Sequence, residues 1–420
     1  MNSIIRLMGN LLFIFLLFAA LFSYAMFQGG FTSWFLFFGF LPIFLYQVAL
    51  LFYPLRHWKV KRHLQREAVK AGGNVSVTIT VERGLPFPLF YCVFEEVFSE
   101  GLHRKDDGKR KYRHMDRPGH YNMDREVKRA VFPSFRRRIE VSYQLEALPR
   151  GVHQLEGVTI RCGDLFGLAR KEVFIPLEDQ LLVYPAQDDV RLTGSWSSLD
   201  EGGKASSWTW HHTNIAVGAR EYAPGDKISS IDWKQTARKN EVMTKEFEQE
   251  EGMDVLLVLD SCWHQGMNPL AFEATVELAA SLVRAMRRQS IRTRLLIVGG
   301  ESVYIPGHGE EQMAVAQRQL ARIQPSRSGP FVLKLREEIF RVKEGNVVLL
   351  ITSHVDRAWL EAIQPMKTRS KYMVVLFVQA STWISEEERD LLTQMEMEGM
   401  EVIPMTESEL VQTPVEVRGK

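Results

Sequence analysis

The sequence predicts three fold classes in succession: a two-helix transmembrane hairpin, a β-sandwich, and a doubly wound α/β domain. Three observations carry this. Two uncharged apolar runs open the chain, short alternating strands with Gly/Pro turns continue to about Pro185, and apolar strands alternating with amphipathic helices run from Met253 onward. The expected boundaries are 1–55 for the hairpin, 56–190 for the sandwich, 191–252 for a linker and motif segment, and 253–420 for the α/β domain. With 52 basic and 51 acidic residues the charges nearly cancel, so net charge points to no polyanionic partner.

The apolar runs are Leu7 to Phe27 and Phe31 to Tyr53, without a charge in either. Each is long enough for a hydrocarbon core of about 30 Å. Gln28-Gly29-Gly30 leaves room only for a tight turn, so the helices run antiparallel. Arg6 precedes the first, Arg56, Lys59, Lys61, Arg62 and Arg66 follow the second, and the turn has no Lys or Arg. Basic flanks stay inside, which predicts a two-span protein of the cell membrane with both termini cytoplasmic. A cleaved signal peptide is the competing reading, and the second full span argues against it. Cys92, Cys162 and Cys262 are odd in number and far apart, which suits a reducing compartment rather than a disulfide framework.

Within the expected sandwich, Val75 to Val81 alternates with a period of two, Leu89 to Phe98 reads as a second strand, and Arg138–Leu145, 158–161 and 181–184 as further ones. Many short strands with Gly/Pro turns suggest an immunoglobulin-like sandwich. A basic run from Arg104 through Lys109-Arg110-Lys111, Arg113 and Arg117, with Arg136-Arg137-Arg138 after it, reads either as a solvated loop or as a contact with anionic lipid. No aromatic platform accompanies it, so nucleic acid is not an expected partner. Thr193 to Thr213, with His211-His212, reads as an exposed linker.

In the last part, Val255 to Leu259 is an apolar strand ending in Asp260, Ala271 to Gln289 a helix, and Arg292 to Val298 a strand. Helices at 312–323 and 333–342, a strand at 346–352, a helix at 358–366, a strand at 372–378, a helix at 386–398 and a closing strand at 400–404 complete the pattern of a doubly wound, mostly parallel sheet.

Before this domain stands Arg220-Glu221-Tyr222-Ala223-Pro224-Gly225-Asp226, then Ile231-Asp232-Trp233-Lys234, Thr236-Ala237-Arg238 and Lys245-Glu246-Phe247-Glu248. Pro224-Gly225 sets a tight turn. Asp232, Arg238, Arg220 and Lys234 bring opposite charges close in sequence, which predicts either an internal ion-pair lock or a docking surface. This segment resembles the signature of the domain of unknown function 58 family. Arg150-Gly151-Val152 and Asp164-Leu165-Phe166-Gly167-Leu168 match that family's RG…DPFGL stretch, with Leu165 in place of proline.

The resemblance implies an α/β domain similar to a von Willebrand factor A domain. It also implies association with a MoxR-type AAA+ ATPase, beside transglutaminase-like membrane proteins, in assembly or regulation of a bacterial envelope complex. Such domains often hold a divalent cation on Asp-x-Ser-x-Ser. Here Asp260 remains, but Cys262 and His264 occupy the serine places, so hard-cation ligands are largely lost. A softer metal such as zinc on Cys262, His264 and His354 is the alternative to a metal-free loop. No Walker A, GxSxG or HExxH pattern is present. The expectation is therefore a membrane-anchored scaffold or adaptor without cofactor. A metal-dependent binder using Asp260 and an enzyme of unrecognised class are its rivals.

Overall fold

The computed structural model describes residues 2–120, 125–164, 170–193, 215–223, 231–239, 241–248, 254–289, 291–307, 309–341 and 344–418. The chain divides into two units. The first holds 1–108 and 122–184, the second 109–121 and 185–420. The expected boundary at 190 therefore falls at 184, and part of the basic run belongs to the second unit.

The first unit begins with α1 (Asn2–Gln28) and α2 (Phe31–Phe52). Gly29 and Gly30 join them at φ 59° and 94°, a left-handed backbone that only glycine adopts cheaply. Phe18 packs on Phe37 and Phe44 to hold the pair. Among the described residues α2 is the one helix long and apolar enough to cross a membrane, with a mean hydropathy of 2.2; Leu12–Gln28 of α1 is a shorter apolar stretch. Of the two expected spans, one, α2, thus meets this length and hydropathy requirement.

Strands β1 (Lys59–Leu64), β2 (Ala68–Lys70), β3 (Val75–Glu82) and β4 (Tyr91–Phe98) follow, then the short α3 (Glu100–His103). β5 (Lys128–Val131), β6 (Arg138–Leu145), β7 (Gly151–Gly163) and β8 (Arg170–Tyr184) complete the unit. They form a three-stranded antiparallel sheet, β1-β3-β6, and a five-stranded sheet, β2-β8-β7-β4-β5. Strict alternation puts Val75, Val77, Ile79 and Val81 of one sheet, and Phe94, Phe98, Val158 and Ile160 of the other, into one shared core with Leu50, Leu55 and Trp58. The side chain of Arg62, one of the flanking charges, is fully buried. It pairs with Glu96 and with Asp179, and Tyr143 donates to Glu96 at 2.5 Å.

In the second unit β9 (Val190–Thr193) pairs with the last strand, and β10 (Ile215–Glu221) precedes α4 (Trp233–Lys239) and β11 (Met243–Glu248). Next come β12 (Asp254–Asp260), α5 (Pro269–Arg288), β13 (Arg292–Val298), β14 (Val303–Ile305), α6 (Glu310–Arg322) and α7 (Phe331–Glu338). β15 (Val347–Thr352), α8 (Arg357–Arg369), β16 (Tyr372–Val378), α9 (Glu386–Met397), β17 (Glu401–Met405), α10 (Glu407–Val411) and β18 (Val415–Arg418) close it. The central sheet runs β14-β13-β12-β15-β16-β17, parallel except for β14. β12 shows why it is covered on both faces. Val255, Leu257 and Leu259 enter the core with α5 and α6, while Leu256 and Val258 enter a second core with α7, α8 and α9.

The solvated-loop reading of the basic run does not hold for Lys111. It is buried in this unit, its Nζ 2.6 Å from Glu277 Oε1 on α5, and Tyr112 also donates to Glu277. Tyr112 and Met115 lie in the first of the two cores, and Asn268 Nδ2 donates to the Met115 carbonyl at 2.8 Å.

Candidate functional site

Two places in the second unit gather the residues singled out from the sequence. The first is the carboxyl edge of the central sheet. β13 and β15 lie on opposite sides of β12, so the chain reverses its direction of winding there, the position at which ligands bind in open α/β sheets. Asp260 ends β12 and Thr352 ends β15.

Thr352 Oγ1 lies 2.9 Å from Asp260 Oδ2 and 2.8 Å from the His354 carbonyl, while Asp260 Oδ1 accepts from the Cys262 amide at 2.9 Å. Burial pushes the Asp260 carboxyl up to about 6, against the opposing effect of these hydrogen bonds. His264 and His354 stack, with ring centroids 4.4 Å apart and planes 18° from parallel. His354 Nδ1 is 3.1 Å from Glu388 Oε1, and Glu388 Oε2 takes the amide and hydroxyl of Ser385 at the start of α9.

The Glu388 hydrogen bond lifts His354 above the ordinary imidazole range, whereas burial and then the neighbouring His354 lower His264. Burial alone would raise Glu388, but the bonds from His354 and Ser385 outweigh it and hold that carboxyl low. Hydrogen bonds among Asp260, Thr352, His354 and Glu388 thus tie β12, β15 and α9 together at this sheet edge.

This donor set does not fit a hard divalent cation. Asp260 and Thr352 supply oxygen, but a thiol and an imidazole stand where further oxygens would be needed. Zinc fits no better. Burial pushes the Cys262 thiol up to about 12, and its Sγ lies 3.8 Å from the Val298 carbonyl. Nearly parallel stacked rings aim their in-plane nitrogen lone pairs side by side, not at one tetrahedral centre. Among the described residues no group of three or more His, Cys, Asp or Glu side chains is arranged to hold a metal ion.

The second place is the β10–α4–β11 segment. β10 and β11 pair antiparallel, and Tyr222 and Asp232 donate their amides to the Val242 and Met243 carbonyls at 2.9 and 2.8 Å. Asp232 sits immediately before α4. Its Oδ1 accepts from the Lys234 and Gln235 amides at 3.0 and 3.1 Å, the work of an N-cap. Thr236 Oγ1 donates to the Asp232 carbonyl and accepts from the Met243 amide, locking α4 onto β11.

The ion-pair lock, one of the two expectations for this segment, takes a different form. Among the described residues no salt bridge joins Asp232 to Lys234 or Arg238, and backbone amides hold the carboxylate instead. Arg220, Tyr222, Trp233, Lys234 and Arg238 are all exposed, Trp233 at 67 %. Pro224, Gly225 and Asp226 lie outside the described residues, as do His211 and His212.

Sequence reading missed Glu388 and Glu277. A signal for Glu388 existed: Ser385-x-x-Glu388 is a capping-box pattern, and its spare oxygen holds His354. For Glu277 the clue was an acid inside an otherwise apolar helical stripe.

The fold and this segment define a two-unit protein with an apolar N-terminal helix pair and an exposed aromatic and cationic hairpin. The chain belongs to the family described as "Protein of unknown function DUF58", whose profile matches residues 218–383. It is 36% identical over 332 residues to "Uncharacterized protein YeaD" of Bacillus subtilis (strain 168), covering 79% of this chain and 78% of that protein. Among solved structures it is similar to the sporulation control protein Spo0M of Bacillus subtilis, at 14% identity over 30% of this chain and 49% of that one, TM-score 0.15. It is also similar to Cwp6 from Clostridium difficile, at 11% identity over 86% and 52%, TM-score 0.17. The chain spans about half the length of these two, and likenesses this weak carry no argument.

Proposed function

We propose that this chain is a membrane-anchored scaffold or adaptor. In this reading α1 and α2 cross the membrane as a hairpin, and both termini and everything after Tyr53 are cytoplasmic. The first unit is an immunoglobulin-like sandwich that holds the anchor. The second is a von Willebrand factor A-like, doubly wound domain that binds another protein. That partner is a MoxR-type AAA+ ATPase, in assembly or regulation of a cell-envelope complex that includes a transglutaminase-like membrane protein. The chain acts by binding, without a cofactor and without catalysis of its own.

One observation supports docking above the others. Trp233 and Tyr222 are exposed next to Arg220, Lys234 and Arg238, on a hairpin whose backbone is locked by Asp232 and Thr236. Rigidly presented aromatic and arginine side chains are the residues that dominate protein–protein binding energy. A buried ion-pair lock would have hidden them. Co-purification of the ATPase with the full chain from detergent-solubilised membranes tests the reading, and recovery of the intact chain without the ATPase would count against it.

A further inference from the structure

The last two turns of α2 do not stand clear of the first unit. Tyr46, seven residues and about 10 Å of helix before Tyr53, donates to the Pro88 carbonyl at 3.0 Å and packs on Phe87 and Phe90. Tyr53 donates to the Leu85 carbonyl at 2.7 Å and stacks on Phe87. Gln47 reaches Asp164 at the end of β7, and Lys171 Nζ donates to the carbonyls of Leu51 and Tyr53, closing the helix end. The 22-residue α2 is about 33 Å long, barely the thickness of a hydrocarbon core. Loops reaching back to Tyr46 therefore lie at the depth of the helix's membrane end.

Those loops are 84–90 and 132–137, and they present apolar side chains outward: Leu85, Phe90, Phe132 at 74 % and Phe135 at 63 % exposure. The exposure is built in. Leu89 and Ser134 pair backbone to backbone, and buried Arg83 donates to the carbonyls of Phe87, Ser134 and Arg136. Exposed Arg136 and Arg137 stand beside them, and exposed Arg56 follows α2. Apolar and aromatic tips beside arginines, at the end of a membrane helix, have the composition of the headgroup boundary.

Resting on the membrane-anchor reading, we infer that loops 84–90 and 132–137 form a foot in the bilayer interface. Leu85, Phe90, Phe132 and Phe135 enter the headgroup–acyl boundary, and Arg136 and Arg137 contact anionic lipid phosphates. The foot fixes the first unit against the membrane.

The test uses the full chain in vesicles of three parts phosphatidylcholine to one part phosphatidylglycerol. The native cysteines are buried, so Phe132→Cys and Phe135→Cys can each take an environment-sensitive fluorophore selectively. Phe38→Cys in α2 reports the anchor, and Lys70→Cys, at the other end of the β7–β8 pair, reports water. Shallow nitroxide lipids should quench positions 132 and 135 several-fold more than position 70, while deep nitroxides quench position 38. Quenching at 132 and 135 no greater than at 70, with position 38 still quenched, would overturn the foot and leave the anchor standing. An unquenched position 38 would instead refute the anchor, and the foot with it.

Discussion

The Thr352 hydroxyl lies between Asp260 Oδ2 at 2.9 Å and the His354 carbonyl at 2.8 Å, yet it has one proton to give. If Asp260 carries a proton it donates to Thr352, which then donates to His354, and all three groups are satisfied. That arrangement agrees with a carboxyl pushed up to about 6 by burial.

Asp260→Asn should therefore stabilise the protein at neutral pH. The folded carboxyl titrates near 6 against an ordinary 3.8, so the folded state binds its proton more tightly, and stability falls as pH rises across that window. The shift corresponds to about 3 kcal/mol at most. Asparagine accepts from Cys262 and donates to Thr352 at every pH. Thermal melts of the detergent-solubilised chain should show the variant ahead at pH 7.5 and level near pH 4; a constant gap would contradict the protonated network.

His354→Gln tests a group with the same linkage sign at higher pH. His354 is raised by Glu388, so its contribution is full below the ordinary imidazole value and lost as pH rises through its folded value. Glu388 is lowered, so its contribution persists above the ordinary carboxylate value. The variant should lose melting temperature near pH 6 and little at pH 9. An equal loss at both would mean that packing on His264, not charge, is what matters.

Lys111→Ala should be severe. It leaves Glu277 buried with its ammonium partner gone, a change that costs on the order of 3–5 kcal/mol. The double variant Lys111→Met with Glu277→Leu should recover much of that in denaturant titrations. A loss below 1 kcal/mol for the single variant, on the order of a surface pair, would contradict this burial.

The sequence is most legible where burial is complete. Val255–Leu259 and Tyr372–Val378 announce themselves because a strand covered on both faces is apolar at every position. β7 was legible only in part: its outward positions are polar, and its pairing with β8 shifts register between Leu155 and Gly157. β14, at three residues, is too short to carry a period. Lys111 read as solvated because its neighbours are basic; only the distant Glu277 explains its burial. At the carboxyl edge of the sheet the resemblance points to Asp260, Cys262, His264 and His354, but Glu388 stands 34 residues from its partner His354 and no local pattern joins them.

Asp232→Ala separates folding from docking. An internal ion-pair lock, one of the two expectations from sequence, would make this the loss of a buried charge pair, but the structure predicts the loss of an N-cap, about 1 kcal/mol. Asp232→Asn should restore most of it. A loss of 3 kcal/mol or more would mean that the carboxylate does more than cap α4.

In the proposed function the exposed face of this hairpin docks the ATPase. Its most direct test is the affinity of a MoxR-type AAA+ ATPase for the full chain in nanodiscs, with Trp233→Ala and Arg238→Ala combined. Both side chains are exposed, so the melting temperature should not move. Loss of two such contacts should weaken binding at least about thirtyfold, the equivalent of roughly 2 kcal/mol. Unchanged affinity in an equally stable variant would contradict the docking account.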